Sequence, residues 1–294
     1  MKARIALLVL IALPPLLALG QAIDFHFRNR NNGSLVSSGE KREYLLYVPR
    51  SYNPSKPAPL IISLHGAGGW PVQQEDVSQW DGVADAEGLI VVYPAGSANR
   101  GPPVWRETDV RFISDLIDRL ERSYNIDRDR IYANGLSNGG GMSFFLSCKL
   151  SDRIAAVGLV GAALSFPWRE CTDRRPVPVI AFHGTADPLT KYHGGRAWMA
   201  PDPFPDITRW FATWAKRNGC APQPVETPVA SDVTRREYVR CAENASVVLY
   251  TIRGGGHTWP GGRPMAEFFV GATNQNINAS RVMWSFFREH PRVQ

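Results

Sequence analysis

Residues 130–150 read RIYANGLSNGGGMSFFLSCKL. Residues 130–134 form an apolar, strand-like run, and a helical stretch follows to about residue 150, so Gly135-Leu136-Ser137-Asn138-Gly139 sits at a strand-to-helix junction. A serine held on so sharp a turn needs backbone angles that most residues avoid. Small residues two before and two after it let the strand and helix approach closely. The helix N-terminus then aims backbone N–H groups at any negative charge that develops there. The arrangement suits Ser137 as a nucleophile; the alternative is a serine in a plain glycine-rich turn.

The same alternation extends in both directions. Short apolar runs rich in β-branched residues lie at 42–48, 60–64, 89–93, 130–133, 157–160, 177–182 and 247–252. Such runs suit buried strands of a mostly parallel sheet. Helical patterns separate them. Val110, Ile113, Leu116, Ile117 and Leu120 share one face. Ile207, Trp210, Phe211, Trp214 and Ala215 share another, with Gly219 placed to end that helix. Ala279, Val282, Met283, Phe286 and Phe287 repeat the pattern behind a candidate N-cap at Asn278. The alternation predicts an α/β fold: a mostly parallel central sheet with helices on both faces. Trp214 and Trp284 fall on helix faces and are expected in the core. Two long loops, 95–106 and 188–205, are expected above the carboxyl edge of the sheet, where substrate sites are commonly built.

The chain has 294 residues, with 33 Lys and Arg against 27 Asp and Glu, a formal charge of +6. The basic residues are scattered, which favours a solvated surface over nucleic-acid binding. Lys2 and Arg4 precede an apolar run at 5–19 broken by Pro14 and Pro15, and small residues follow at Ala18, Gly20 and Ala22. This is the pattern of a secretory signal peptide, and the run falls short of the ~20 residues a spanning helix needs. The expected organisation is a signal peptide over 1–22 and one catalytic domain over 23–294. The protein would be secreted or periplasmic, with no stable membrane anchor. Four cysteines in an exported chain imply disulfides. Of the three possible pairings, Cys148–Cys171 and Cys220–Cys241 are favoured because each closes a short local loop. The cysteines lack metal-site spacing, and no metal or other cofactor is expected.

A serine nucleophile needs a base to take its proton. His257 lies after the last apolar strand, in the glycine-rich stretch GGGHTWPGG at 254–262. His193 is the alternative base. His26 and His290 lie near the chain ends and are expected at the surface; His65 and His183 each precede a glycine at a strand end and are expected to hold loops. The imidazole needs a carboxylate to fix its tautomer. Asp187, in HGTADP at 183–188, is the candidate, with Asp173, Asp202 and Asp206 as alternatives; Asp206 reads better as an N-cap. Oxyanion donors are expected from the backbone N–H groups of Asn138 and of Ala67, the latter in HGAGGW at 65–70. Trp259, Trp105, His65 and Trp70 are the candidate lining of the substrate pocket, and Trp198 lies in a loop on the same edge.

Together GLSNGGGMSFFLSCKLSDRIAAVGLVGA, HGTADP, NGC and GGGHTWPGG resemble the secreted poly(3-hydroxybutyrate) depolymerase and feruloyl/acetylxylan esterase lineage. The resemblance runs from about residue 44 to residue 290, with four separated motifs in the same order. It implies an α/β-hydrolase fold and a triad of Ser137, Asp187 and His257, whose chain order is that of α/β-hydrolases. The cysteine positions resemble the local pairs above. The implied reaction is hydrolysis of a carboxylic ester through an acyl-enzyme. The implied substrate is polysaccharide-linked, phenolic or polyester, and no nucleic acid takes part. An acyltransferase on the same fold and a non-catalytic binding protein are the alternatives. Arg111 departs from the family pattern, which has a small residue there. No appended polymer-binding module is expected.

Overall fold

The computed structural model describes residues 30–98, 101–162, 171–196 and 203–292. The expected signal segment, His26, Trp198 and Asp202 lie outside them. In chain order the elements are β1 (Gly33–Ser37), β2 (Glu40–Tyr47), β3 (Ala58–Leu64), α1 (Pro71–Ser78), α2 (Trp80–Glu87) and β4 (Ile90–Pro94), then α3 (Asp109–Ser123), β5 (Ile126–Leu136), α4 (Asn138–Lys149), β6 (Ala156–Val160) and β7 (Val179–Gly184). They continue with α5 (Ile207–Arg217), β8 (Val225–Ala230), β9 (Val233–Tyr238), β10 (Val247–Ile252), α6 (Glu267–Val270) and α7 (Ala279–Arg288).

The ten strands make one sheet in the order β1-β2-β4-β3-β5-β6-β7-β10-β9-β8. The six central strands, β4 through β10, run parallel to one another. An antiparallel hairpin flanks them on each side. All seven runs read from the sequence are strands. The three that the apolar pattern did not reveal, β1, β8 and β9, are flanking strands, and β8 is exposed along nearly its whole length.

Successive residues of a strand face opposite sides, and the central strands are apolar on both. Leu60, Ile62 and Leu64 of β3 pack into one core with Phe112, Leu116, Phe144, Trp210 and Trp214. Ile61, with Val91 and Tyr93 of β4, packs into the other with Val72, Trp80, Met283 and Phe287. Helices α3, α4 and α5 therefore cover one face and α1, α2 and α7 the other. The Asn278 side chain caps α7 by accepting from Arg281 N–H at 3.0 Å, and Asp206 caps α5 by accepting from Arg209 N–H at 3.0 Å. Gly219 follows α5 at φ +65°, the left-handed conformation that ends a helix.

Disulfides join Cys148 to Cys171 and Cys220 to Cys241. The first ties the end of α4 to the approach to β7; the second ties the exit of α5 to the exit of β9. Arg111 is exposed and paired with Asp115 at 2.9 Å, so its departure from the family pattern is a surface feature of α3. His290 is buried rather than superficial: its ring lies 3.0 Å from Ser246 Oγ and 2.7 Å from Phe286 O.

The second core is organised around Phe287, which stacks on Tyr132 at 4.7 Å between ring centroids and lies parallel to Trp80 at 6.3 Å. Removing that ring leaves a cavity among rigid neighbours. Phe287→Ala is expected to cost roughly 3–5 kcal/mol, lowering Tm by on the order of 10 °C. A calorimetric Tm within about 2 °C of the parent would show that this layer does not carry the stability assigned to it.

Candidate active site

Ser137 stands where β5 gives way to α4, at φ 56° and ψ −118°. The left-handed φ is unfavourable for a side-chain-bearing residue. Close packing holds it there. Ser137 N–H donates to Val160 O at 2.8 Å, which ties the turn to the end of β6. A Cβ at Gly135 would collide with the Gly139 backbone, and one at Gly139 with Leu64 O and, at 2.5 Å, His65 O. A Cβ at Gly140 would come within 2.8 Å of Ala162 Cβ. The glycines around Ser137 are therefore sites of direct backbone contact among β3, β5 and α4. Ser137 is half-buried and so reachable from solvent.

The loop after β3 crosses directly above. A Cβ at Gly66 would sit 3.5 Å from Ser137 Cβ, in ordinary contact. Among the described residues no protein acceptor is recorded for Asn138 N–H or Ala67 N–H. Asn138 directly follows Ser137 at the start of α4, and Ala67 directly follows Gly66 on this loop. The Asn138 side chain accepts from Trp105 N–H at 2.7 Å, which joins the 95–106 loop to the elbow.

The two other candidate residues come from the ends of β7 and β10. His257 and Asp187 are both buried, and His257 Nδ1 lies 2.8 Å from Asp187 Oδ2. A carboxylate can only accept, so Nδ1 carries the proton and Nε2 is left as the basic nitrogen. Asp187 Oδ1 accepts from Leu189 N–H and Thr190 N–H, each at 2.8 Å. Burial raises the Asp187 carboxyl, but the hydrogen bond from His257, the nearby His257 and His183 rings, and the Thr190 N–H outweigh it; its pKa falls below the usual carboxylate value.

Ser137 and His257 each border the end of β6, Ser137 through its N–H on Val160 O. A Cβ at Gly161, the residue after Val160, would lie 3.1 Å from His257 Nδ1 and 3.4 Å from Asp187 Oδ2. No hydrogen bond joins Ser137 to the His257 ring among the described residues, an arrangement common in unliganded sites, where such bonds tighten on binding.

Thr190 escaped the sequence reading. Its Oγ1 lies 2.8 Å from Asp187 Oδ2, 3.0 Å from Gly161 O and 3.2 Å from His257 Nδ1. The available signal was the spacing Asp187-x-x-Thr190, in which an Asp side chain caps the backbone of the turn that follows it. His183 holds this loop, as expected: Nε2 donates to Thr190 O at 2.7 Å and lies 3.5 Å from Asp187 Oδ2. Burial keeps its ring pKa low despite the nearby carboxylate.

The alternatives lie elsewhere. His193 is exposed and 3.5 Å from Asp206, and Asp173 pairs with Arg217. Three of the four expected lining residues are buried. His65 is buried, donates from Nδ1 to Gly66 O at 2.7 Å, and accepts from Gly96 N–H at Nε2, 2.9 Å away. Burial pushes its pKa down to about 4. Trp105 is buried with its indole N–H on His65 O, and Trp259 is buried with its indole N–H on Ser280 Oγ. All three brace loops from inside. Trp70 alone keeps a partly exposed face. Among the described residues no cluster of three or more His, Cys, Asp or Glu could hold a metal ion. No helix there is long and apolar enough to cross a membrane.

The strain at Ser137 is testable. Glycine carries no penalty at φ 56°, although part of its gain is returned through a looser unfolded chain. Ser137→Gly is expected to stabilise the fold by about 1 kcal/mol, raising Tm by a few degrees. A lower Tm in the variant would contradict strain at the elbow.

No family model matches the chain. It is 33% identical over 240 residues to feruloyl esterase B of Piromyces equi, a match that covers 77% of this chain but 44% of that protein's length. It is 30% identical over 275 residues to the "Putative esterase NocK" of Nocardia uniformis subsp. tsuyamanensis, covering 84% of this chain and 79% of that one. The acetyl xylan esterase from Aspergillus awamori superposes with a TM-score of 0.56 at 13% identity, over 74% of this chain and 89% of that one. The parallel sheet, its elbow and these relatives together make the chain a member of the feruloyl/acetylxylan esterase family, with an α/β-hydrolase fold.

Proposed function

We propose that the protein hydrolyses carboxylic esters borne on polysaccharides, of the acetyl or phenolic kind, through a Ser137–His257–Asp187 triad. The observation that carries this reading is the buried 2.8 Å hydrogen bond between His257 Nδ1 and Asp187 Oδ2, on the same sheet edge as a serine held on a strained strand-to-helix turn. In the proposed cycle Nε2 of His257 takes the Ser137 proton as Oγ attacks the ester carbonyl. The Asn138 and Ala67 N–H groups receive the oxyanion. The imidazolium then protonates the leaving alcohol. Water releases the acyl group by the same steps, and His257 takes the water's proton.

Thr190 is a positioning residue in this scheme, holding Asp187 against His257. The organisation that accompanies the proposal is an exported protein, with a signal peptide over 1–22 and one catalytic domain over 23–294. Two disulfides are consistent with that compartment. The acetyl and phenolic preference rests on the names of the relatives; hydroxybutyrate oligomers are the competing substrate.

Purified protein is expected to turn over 4-nitrophenyl acetate, and Ser137→Ala to lower kcat by about ten-thousand-fold or more; turnover surviving that change would reject the mechanism. A parallel screen of methyl ferulate, acetylated xylan and hydroxybutyrate oligomers is expected to favour one of the first two.

Thr190→Val keeps the shape but removes the hydroxyl beside the carboxylate. A lost hydrogen bond to a charged group, worth roughly 1.5–3 kcal/mol, implies a fall in kcat of about 10- to 100-fold. An unaltered kcat with only a lowered Tm would take Thr190 out of the mechanism.

A further inference from the structure

Phe268 and Phe269 are 83% and 67% exposed, more than almost any other large apolar side chain among the described residues. Their rings lie against each other with centroids 4.1 Å apart and planes 39° apart. Exposed aromatic surface of this kind is costly to maintain and commonly marks contact with a partner.

The pair is held in place. It sits on α6, whose last residue, Val270, accepts the His257 N–H at its carbonyl at 2.5 Å. Gly256 N–H donates to Ala272 O at 2.9 Å. A Cβ at Gly256 would collide with Val270 O, and one at Gly271 would lie 2.9 Å from Gly256 Cα and 3.7 Å from Ala186 O. The segment is thus packed against both loops that carry the acid–base pair, and the two rings project beside them, within two residues of the carbonyl that holds His257. Leu189, two residues beyond Asp187, adds a further exposed apolar side chain on the neighbouring loop.

We infer that Phe268 and Phe269 form an aromatic platform for the polymer that carries the ester, a pyranose ring stacking its C–H face on the exposed rings. This rests on the polysaccharide-ester reading above. The acyl group must reach Ser137, which is half-buried, whereas the platform stands out in solvent. Standing in solvent, it suits the bulkier part of the substrate beyond the scissile bond, which in such an ester is the sugar chain. A pyranose presents an apolar face to an aromatic ring while its hydroxyls stay in water, so an exposed ring on a tethered backbone suits it.

The test separates binding from turnover. In a Ser137→Ala background, depletion of soluble protein by insoluble xylan, acetylated and deacetylated, gives a dissociation constant without hydrolysis. Adding Phe268→Ser and Phe269→Ser is expected to weaken binding to both xylans about tenfold or more, and Phe268→Tyr with Phe269→Tyr to retain it. Equal binding by the parent and the serine variant, or no binding by the parent, overturns the inference. So does a loss on serine substitution that appears only with poly(3-hydroxybutyrate) particles or with anionic phospholipid vesicles. Turnover of 4-nitrophenyl acetate by the chain with Ser137 intact judges the hydrolase reading separately, so the two can fail independently.

Discussion

At φ 56° the Ser137 backbone occupies a conformation that its own side chain disfavours, and nothing local would keep it there. Gly135 and Gly139 allow β3, β5 and α4 to approach until a single added carbon at either position would overlap backbone. The hydrogen bond from Ser137 N–H to Val160 O fixes the turn to the next strand. The cost of the strained residue, of order 1–3 kcal/mol, is spread over a sheet buried on both faces. A loose elbow would relax to ordinary angles and take Oγ away from the rim. Packing density is therefore a condition of the site as well as of the fold.

The parallel order of the central strands settles which loops can meet. The carboxyl ends of β5, β6, β7 and β10 lie side by side. They deliver in turn the elbow, Gly161, the Asp187 loop and the His257 loop. Gly161 has to be small because the imidazole passes over it. Asp187 and His257 lie in the loops that follow adjacent strands, and a hydrogen bond between those loops joins them. The two histidines beside Asp187 are hydrogen-bonded differently. His183 gives its one proton to a carbonyl and is held neutral. His257 keeps Nδ1 on the carboxylate and leaves Nε2 basic. Buried groups also tie the stability of the fold to pH. His65, with its pKa near 4, stays neutral when folded but takes up a proton below about pH 6.5 when unfolded; its contribution to stability is lost as pH falls through that window. Asp81, raised to about 7 chiefly by burial, acts with the opposite sign over much of the same range.

The legible parts of the sequence were those where one physical demand leaves a pattern. Strands buried on both faces read as apolar runs, and amphipathic helices α3, α5 and α7 read as spaced apolar positions. The elbow was legible because glycine is required at fixed offsets from the serine. Strands β1 and β8 were not, because an edge strand satisfies one ladder and faces water: VETPVA carries no alternation, and Pro228 argues against a strand. Helices α1 and α2 were missed because they are short; α1 begins at Pro71 after a Trp70 N–H that donates to Gln73 Oε1, a cap with no serine or aspartate to announce it.

The loop aromatics show where reading residue type runs out. A tryptophan next to a motif can line a pocket or brace the loop behind it, and the two uses look alike in sequence. What separates them is whether the indole N–H finds an internal acceptor. Trp105 finds His65 O and Trp259 finds Ser280 Oγ, which in turn donates to Ser78 O at 2.6 Å. Each ring is thereby committed to the interior, and the glycine-rich loops it braces gain a rigidity that glycine alone would deny them. Phenylalanine has no polar group to satisfy, so burial would favour it more strongly still; Phe268 and Phe269 stay exposed against that drive on a segment whose backbone is fixed at His257. The same segment that holds the His257 backbone N–H thus exposes two rings to solvent beside the loops that carry Asp187 and His257.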